Sequence, residues 1–156
     1  MAKALIDTPI GALTVLANDV GICRVWFGNL DENVAGTSVA DAHLAVALAQ
    51  LNEYFDGERT TFNVAIDRSA RSVFRGEVLN ALEGVPFGQT ITYGDLAERA
   101  GRPKAARAVG SAMSTNPIAI IVPCHRVLPS SGGVGQFGGG VAAKDHLLRL
   151  EGTRFE

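Results

Sequence analysis

Ile118-Ala119-Ile120-Ile121-Val122-Pro123-Cys124-His125-Arg126-Val127 is the stretch on which the fold turns. Its first five residues are apolar, and they lie between the breaker Asn116-Pro117 and Pro123. Such a run reads as a short, buried extended segment. A loop crowded with glycine, Ser130 to Gly140, follows. Cys124 therefore stands where a buried strand ends at the rim of a cavity, with the glycine loop as a wall. Free cysteines are often small buried hydrophobes, and Cys23, inside a β-rich run, fits that description. Cys124 has neighbours that a packing residue does not need.

Upstream of this stretch the chain reads as helices. Val73 to Glu83 is the first, ending near Gly84-Val85-Pro86-Phe87-Gly88. Thr92 is placed as an N-cap for Tyr93 to Ala100, with Asp95 in the first turn to suit the helix dipole. Gly101-Arg102-Pro103 is a tight connector, Lys104 to Ser114 an alanine-rich helix, and Asn116-Pro117 its stop. Two helices joined by a short turn containing glycine have the form of a helix-turn-helix. The small residues Ala105, Ala106, Ala108 and Gly110 let a backbone lie close to that second helix, whether from a neighbouring helix or a DNA groove. Downstream, Ala142 to Leu150 is a last helix, followed by Glu151-Gly152.

The first third is different in character. Ile10 to Ala17 and Ile22 to Phe27 are β-rich runs around a polar turn at Asn18-Asp19, which predicts a hairpin. Asp41 to Phe55 carries Leu44, Leu48, Leu51 and Phe55 near the helical period, and Gly57 follows as a stop. Phe62 to Ile66 alternates and reads as a further strand, and Arg68 to Ser72 as a polar link. The expected fold is α/β of the α+β kind. A small N-terminal lobe, residues 1–67, has an antiparallel sheet and a helix. It packs on a mostly helical domain, residues 68–156, that holds the helix-turn-helix and the cysteine strand.

Composition narrows the function. The chain has 156 residues, 47% hydrophobic and 19% charged, enough to bury a core. The apolar run at Ile118–Val122 is too short to span a membrane, and Met1-Ala2-Lys3-Ala4-Leu5 lacks the apolar region of a secretory signal. A soluble, cytoplasmic protein is expected, with no membrane partner. Cys23 and Cys124 form no CxxC pair, and His43, His125 and His146 are scattered, so neither a disulfide nor a metal site is expected, and no cofactor is implied. Net charge is -2. Residues 1–78 carry six Lys and Arg against ten Asp and Glu, while residues 79–156 carry eight against six. Arg99, Arg102, Lys104 and Arg107 cluster in the second part; such asymmetry marks either an electrostatic footprint for nucleic acid or a solvated helix face.

The chemistry follows from the thiol. The thiolate is the nucleophile, and a free cysteine ionises near pH ~8.5, so activation needs a base or a cation. His125 is adjacent, but adjacent side chains diverge, so a bridging water is the expected link. A carboxylate then has to orient the imidazole, and Glu151 is the candidate. On this reading His125 and Glu151 lower the thiol's pKa.

From Val73 to Gly152 the chain resembles the O6-alkylguanine-DNA alkyltransferases, the methylated-DNA–protein-cysteine methyltransferases. The segments that carry the resemblance are Pro123 to Val127, Thr92-Tyr93-Gly94-Asp95-Leu96-Ala97, Ala105-Ala106-Arg107-Ala108-Val109-Gly110, Asn116-Pro117-Ile118, and Leu147-Leu148-Arg149-Leu150-Glu151-Gly152. The resemblance implies DNA repair by transfer of an alkyl group from O6-alkylguanine in double-stranded DNA to Cys124, once per molecule, by a monomer without cofactor. It implies that His125, through water, takes the thiol proton and that Glu151 holds His125. Asn116 would brace the turn before the cysteine strand. Tyr93 would press on a phosphate and donate to the departing guanine. Arg107 would fill the space of the extruded base, with Ala105, Ala106, Gly110 and Lys104 along the DNA. Met113, Val127, Phe137 and Gly138 would form the pocket. The target carbon cannot be reached inside stacked DNA, so the nucleotide must rotate out.

The sequence departs from the family pattern at three places. Phe137 stands where many relatives have tyrosine, Leu79 lies where relatives often carry tryptophan, and the zinc ligands of some relatives are missing. Three rival readings are a lesion-binding protein without transfer activity, a transcriptional regulator using the helix-turn-helix, and a cysteine hydrolase. The presence of Cys124 argues against the first, the lack of a further DNA-binding or dimerisation segment against the second, and the need for a preformed oxyanion hole against the third.

Overall fold

Three strands open the chain in a computed structural model that describes residues 1–32 and 34–153. They are β1 (Ala2–Thr8), β2 (Gly11–Ala17) and β3 (Ile22–Phe27), antiparallel in the order β1-β2-β3. The hairpin expected from Ile10 onward is β2-β3; β1 was not foreseen. Ala2 to Thr8 mixes apolar and polar residues, and its pairing (Ala2 opposite Ala17, Thr8 opposite Gly11) makes it a strand. The Asn18 carboxamide accepts from the Val20 and Gly21 amides at 2.9 and 3.1 Å, closing the β2-β3 turn.

Helix α1 (Ser38–Phe55) starts three residues before the sequence expectation, because Thr37 caps it by accepting from the Ala40 amide at 3.1 Å. Ala40, Leu44, Ala47, Leu51 and Tyr54 form its buried face. The strand expected at Phe62–Ile66 reduces to a single bridge between Ile66 and Ile22. Gln50 occupies that segment's backbone instead, bonding both the amide and the carbonyl of Asn63 at 2.8 and 3.1 Å. These elements form one compact unit, Met1–Ala70.

The second unit is Arg71–Glu156. It contains α2 (Val73–Glu83), β4 (Ile91–Thr92), α3 (Tyr93–Arg99), α4 (Ala106–Ser114), β5 (Val127–Leu128) and α5 (Val141–Leu150). Thr92 caps α3 as expected, accepting from the Asp95 amide at 3.1 Å. Helices α3 and α4 pack together across a short connector, the helix-turn-helix form. The second helix begins at Ala106 and not at Lys104: Lys104 and Ala105 still belong to the turn, where the Ala105 amide bonds the Arg102 carbonyl at 3.0 Å. Val78, Leu79, Leu82, Leu96, Val109, Ile118, Leu147 and Leu148 are the buried centre of the unit. Leu79 fills its place there with 1% of its surface exposed, so the departure at this position is a packed core side chain.

Two features of this unit place the site. Strands β4 and β5 run parallel, with Ile91 opposite Val127 and Thr92 opposite Leu128. That pairing brings Tyr93, which follows β4, beside the segment that precedes β5. Ile118–Val122 is buried as expected but it is not extended. Ile120 has φ 72°, a left-handed conformation rare for a β-branched residue. The chain reverses there, with the Ile121 amide on Ala119 and the Val122 amide on Ile118 at 2.8 and 3.0 Å. Its isoleucines had suggested a strand, but their burial comes from a knot-like turn between α4 and Cys124.

Candidate active site

Cys124 opens a single 3-10 turn, Cys124–Arg126, which leads directly into β5. The expected strand end is thus a tight turn, closed by the Val127 amide on the Cys124 carbonyl. The thiol is 7% exposed and lines a cavity of about 580 Å³. The cavity's other walls come from three segments. Tyr93 contributes from the start of α3; Gly110, Ser111, Met113 and Ser114 from α4; Pro129, Gly135, Gln136, Phe137 and Gly138 from the glycine loop. Gly135 has φ 75°, and a Cβ there would lie 2.9 Å from the Pro129 ring, so only glycine lets the loop fold this closely.

Behind the thiol lies a buried polar group. His125 is fully buried, and its Nε2 is 2.7 Å from Glu151 Oε2. Its Nδ1 is buried with no hydrogen-bond partner among the described residues. Arg126 forks onto the same carboxylate, Nε to Oε1 at 2.8 Å and Nη2 to Oε2 at 3.0 Å, and its Nη1 donates to the Val85 carbonyl at 2.7 Å. Lys144, 1% exposed, donates to the Val127 carbonyl at 2.7 Å and more weakly to Gln136 at 3.4 Å. Asn116 spans the reversal, donating to the Val122 carbonyl at 3.0 Å and accepting from the Ile118 amide at 3.1 Å. Its side chain also lies near enough to the Cys124 thiol to favour the thiolate.

Burial dominates the electrostatics. It pushes the Cys124 thiol above its ordinary value, while the Asn116 contact and the Lys144 charge pull it down. This corrects the expectation that His125 and Glu151 lower it. His125 is itself held below the ordinary histidine value by burial, against the pull of Glu151 and with Arg126 and Lys144 adding to the push. A neutral imidazole offers the thiolate no charge. Lys144 is pushed by burial from 10.5 down to about 8, although a Cys124 thiolate would raise it. Tyr93 is raised by burial and by Cys124, so its phenol keeps its proton at neutral pH.

The structure brings Tyr93, Gly110, Met113, Cys124, Phe137 and Gly138 to the cavity, and Asn116, His125 and Glu151 around the thiol's turn. Val127 is not a cavity residue. Its side chain is fully buried, its amide bonds Cys124 and its carbonyl receives Lys144. Ala106 and Arg107 are exposed at the start of α4, while Lys104 is exposed and Ala105 half-buried in the turn before it. Sequence reasoning gave no part to Lys144 or to the guanidinium of Arg126. Lys144 left a signal, since it lies at helical spacing with Leu147 and Leu148 on the buried face of α5. Arg126 left none beyond its place in the motif. Among the described residues no cluster of three or more His, Cys, Asp or Glu side chains is arranged for a metal, and no helix is long and apolar enough to cross a membrane.

Comparison with known proteins covers both units. Residues 1–68 match the 6-O-methylguanine DNA methyltransferase, ribonuclease-like domain, and residues 73–153 match the 6-O-methylguanine DNA methyltransferase, DNA binding domain. The chain is 42% identical to a methylated-DNA--protein-cysteine methyltransferase of Mycolicibacterium paratuberculosis, over 94% of this chain and 89% of that protein. It is 39% identical to the protein of the same name from Methanosarcina acetivorans, over 98% and 99%. A crystal structure of Mycobacterium tuberculosis OGT in complex with DNA superposes with a TM-score of 0.83 at 41% identity, over 94% of this chain and 90% of that one.

Proposed function

The chain belongs to the 6-O-methylguanine DNA methyltransferase family, and from that premise we propose that it repairs O6-alkylguanine in double-stranded DNA by moving the alkyl group onto Cys124. The observation that carries the assignment to this residue is the joint placement of one thiol on a cavity wall and a buried His125–Glu151 pair, 2.7 Å apart, behind it.

The atoms balance without a cofactor. By way of a bridging water, the Cys124 thiol would give its proton to His125 Nδ1, which has no partner among the described residues. Sulfur attacks the alkyl carbon, the C–S bond forms, and the bond from carbon to guanine O6 breaks. The leaving guanine takes a proton from the Tyr93 phenol, and the proton held on His125 then passes through solvent to the tyrosinate, so that both groups end neutral. The product thioether is a bond that water does not reverse, so each molecule acts once. A flipped nucleotide is required, because the carbon is out of reach inside a stacked duplex.

Residues 68–156 carry both binding and transfer in this reading. Arg107, exposed at the start of α4, and Lys104, exposed in the turn before it, face the DNA, with Ala105, Ala106 and Gly110 allowing close approach. One chain holds the full set of groups, so a monomer suffices. A cytoplasmic setting fits Cys23 and Cys124, both of which are free thiols.

Incubation with a duplex containing one O6-methylguanine, followed by intact mass and peptide mapping, tests this. The native protein gains one methyl on Cys124 and then stops. Cys124→Ser gains none and still binds the duplex, and Cys23→Ser behaves as native. Continuous turnover, or a methyl on another residue, overturns the assignment. Lesion binding by native protein without any mass gain supports a lesion-binding protein instead.

A further inference from the structure

Arg126 takes no part in the transfer steps above, yet its contacts govern the group that does. Its guanidinium forks across both oxygens of Glu151, at 2.8 and 3.0 Å. Glu151 Oε2 is also the oxygen that meets His125 Nε2 at 2.7 Å. A buried carboxyl group left to itself tends to take up a proton. A fork-on guanidinium keeps it ionised. An ionised oxygen 2.7 Å from Nε2 requires the proton to sit on Nε2. In a neutral ring that leaves Nδ1 bare, and Nδ1 is the buried ring nitrogen without a partner among the described residues.

Charge counting gives the second half of the argument. Three charged groups act on His125: Glu151 after α5, Arg126 in its own turn, and Lys144 on α5. Cys124, uncharged as a thiol, is its chain neighbour. Two cations already face one carboxylate, so an imidazolium would add a third buried positive charge.

We propose that Arg126 is a positioning residue for the transfer: by sharing Glu151 with His125 it locks the imidazole as the uncharged Nε2–H tautomer, with Nδ1 open to receive the thiol proton. Without Arg126, the His125–Glu151 pair draws a proton onto the ring, and Nδ1 is blocked at mildly acid pH. The proposal rests on Cys124 being the alkyl acceptor, and its test keeps the two ideas apart.

Two measurements decide it. In native protein labelled with 15N in histidine, the His125 ring should show a protonated Nε2 and a bare Nδ1 at neutral pH, and should stay neutral below the usual histidine range. The second measurement is the transfer rate against pH. Arg126→Met should move the acid limb upward by about one pH unit, so the ratio of rates at high and low pH grows about tenfold. Arg126→Gln fills the site with a neutral donor, should move the limb the same way, and serves if the methionine variant does not fold. An Nδ1–H tautomer or an imidazolium in native protein at neutral pH overturns the proposal. So does an equal loss of rate at every pH in the variants, which is what a merely structural role gives. Methyl recovered on Cys124 at long times leaves the acceptor assignment standing in either case; its absence from native protein removes that assignment instead.

Discussion

Replacing Lys144 with methionine sets two effects of similar size against each other. The side chain is 1% exposed and bonds only carbonyls, so its ammonium is a buried charge without a carboxylate among the described residues. The fall from 10.5 to about 8 corresponds to a cost of about 3 kcal/mol at neutral pH. Methionine removes that cost but leaves the Val127 carbonyl without its donor, at about 1–3 kcal/mol. The Gln136 contact, at 3.4 Å, is too long to count for much. At neutral pH the two nearly cancel. The pH dependence does not cancel. Between about pH 8 and pH 10.5 the unfolded chain holds a proton on Lys144 that the folded chain has lost, so folded stability from this group rises with pH across that window. Cys124, raised on folding, works in the opposite direction, so both proteins should carry Cys124→Ser. Urea unfolding followed by far-UV circular dichroism at neutral pH and near pH 10 then gives the difference between lysine and methionine. That difference should shift by about 2–3 kcal/mol in favour of lysine at the higher pH. A shift under about 0.5 kcal/mol would mean that Lys144 keeps an ordinary pKa and that the charge beside the thiol is well solvated.

Two further predictions concern the other walls of the site. Arg107→Ala should slow repair in duplex DNA at least ~10-fold, because extrusion loses the side chain that fills the gap, while transfer from free O6-methylguanine base stays within about twofold of native; equal losses in both would place Arg107 in the pocket or in folding. Asn116→Ala leaves the Ile118 amide unpaired and the Val122 carbonyl with only the Cys124 amide, so it should lower stability by about 1–3 kcal/mol and move the thiol-reagent profile of Cys124 to higher pH; an unmoved profile would show that Asn116 does nothing to the thiol.

The parts of the fold that were legible share a local cause. Thr92 before Tyr93-Gly94-Asp95 is a cap followed by a first-turn acid, and α3 starts where that rule puts it. The register of the motifs was enough to name Tyr93, Asn116, Cys124, His125 and Glu151, and they cluster around one turn. The misreadings have a non-local cause. In sequence Ile118–Val122 reads as extended because isoleucine and valine favour strands. Its reversal depends on Asn116 holding both ends, which no propensity scale contains. The resemblance implies Val127 for the pocket through its main chain; parallel pairing with Ile91 turns its side chain into the core, which leaves that main-chain role untouched. Strand β1 depends on its partner in the same way. The thiol's electrostatics were misjudged for a related reason. A charge's sign is visible in sequence, but its burial is not, and burial sets the direction for Cys124, His125 and Lys144 alike.

Burial also resolves how a chain with net charge -2 serves a polyanion. Eight Lys and Arg lie in residues 79–156, but they are not equivalent. Arg126 and Lys144 are interior. Arg102 is bonded to Glu77 and Arg149 to Asp145. Arg154 lies outside the described residues. Arg99, Lys104 and Arg107 are left exposed, without a carboxylate partner among the described residues, and all three belong to α3, α4 or the turn between them. Within residues 79–156 the free positive charge is therefore concentrated on the helix-turn-helix, although the chain as a whole is slightly acidic. Few phosphate contacts give weak, salt-sensitive attraction to any duplex. A protein that must inspect many guanines and react with few gains from leaving undamaged DNA quickly. The discrimination then falls to the cavity, where only a nucleotide that has left the stack reaches Cys124.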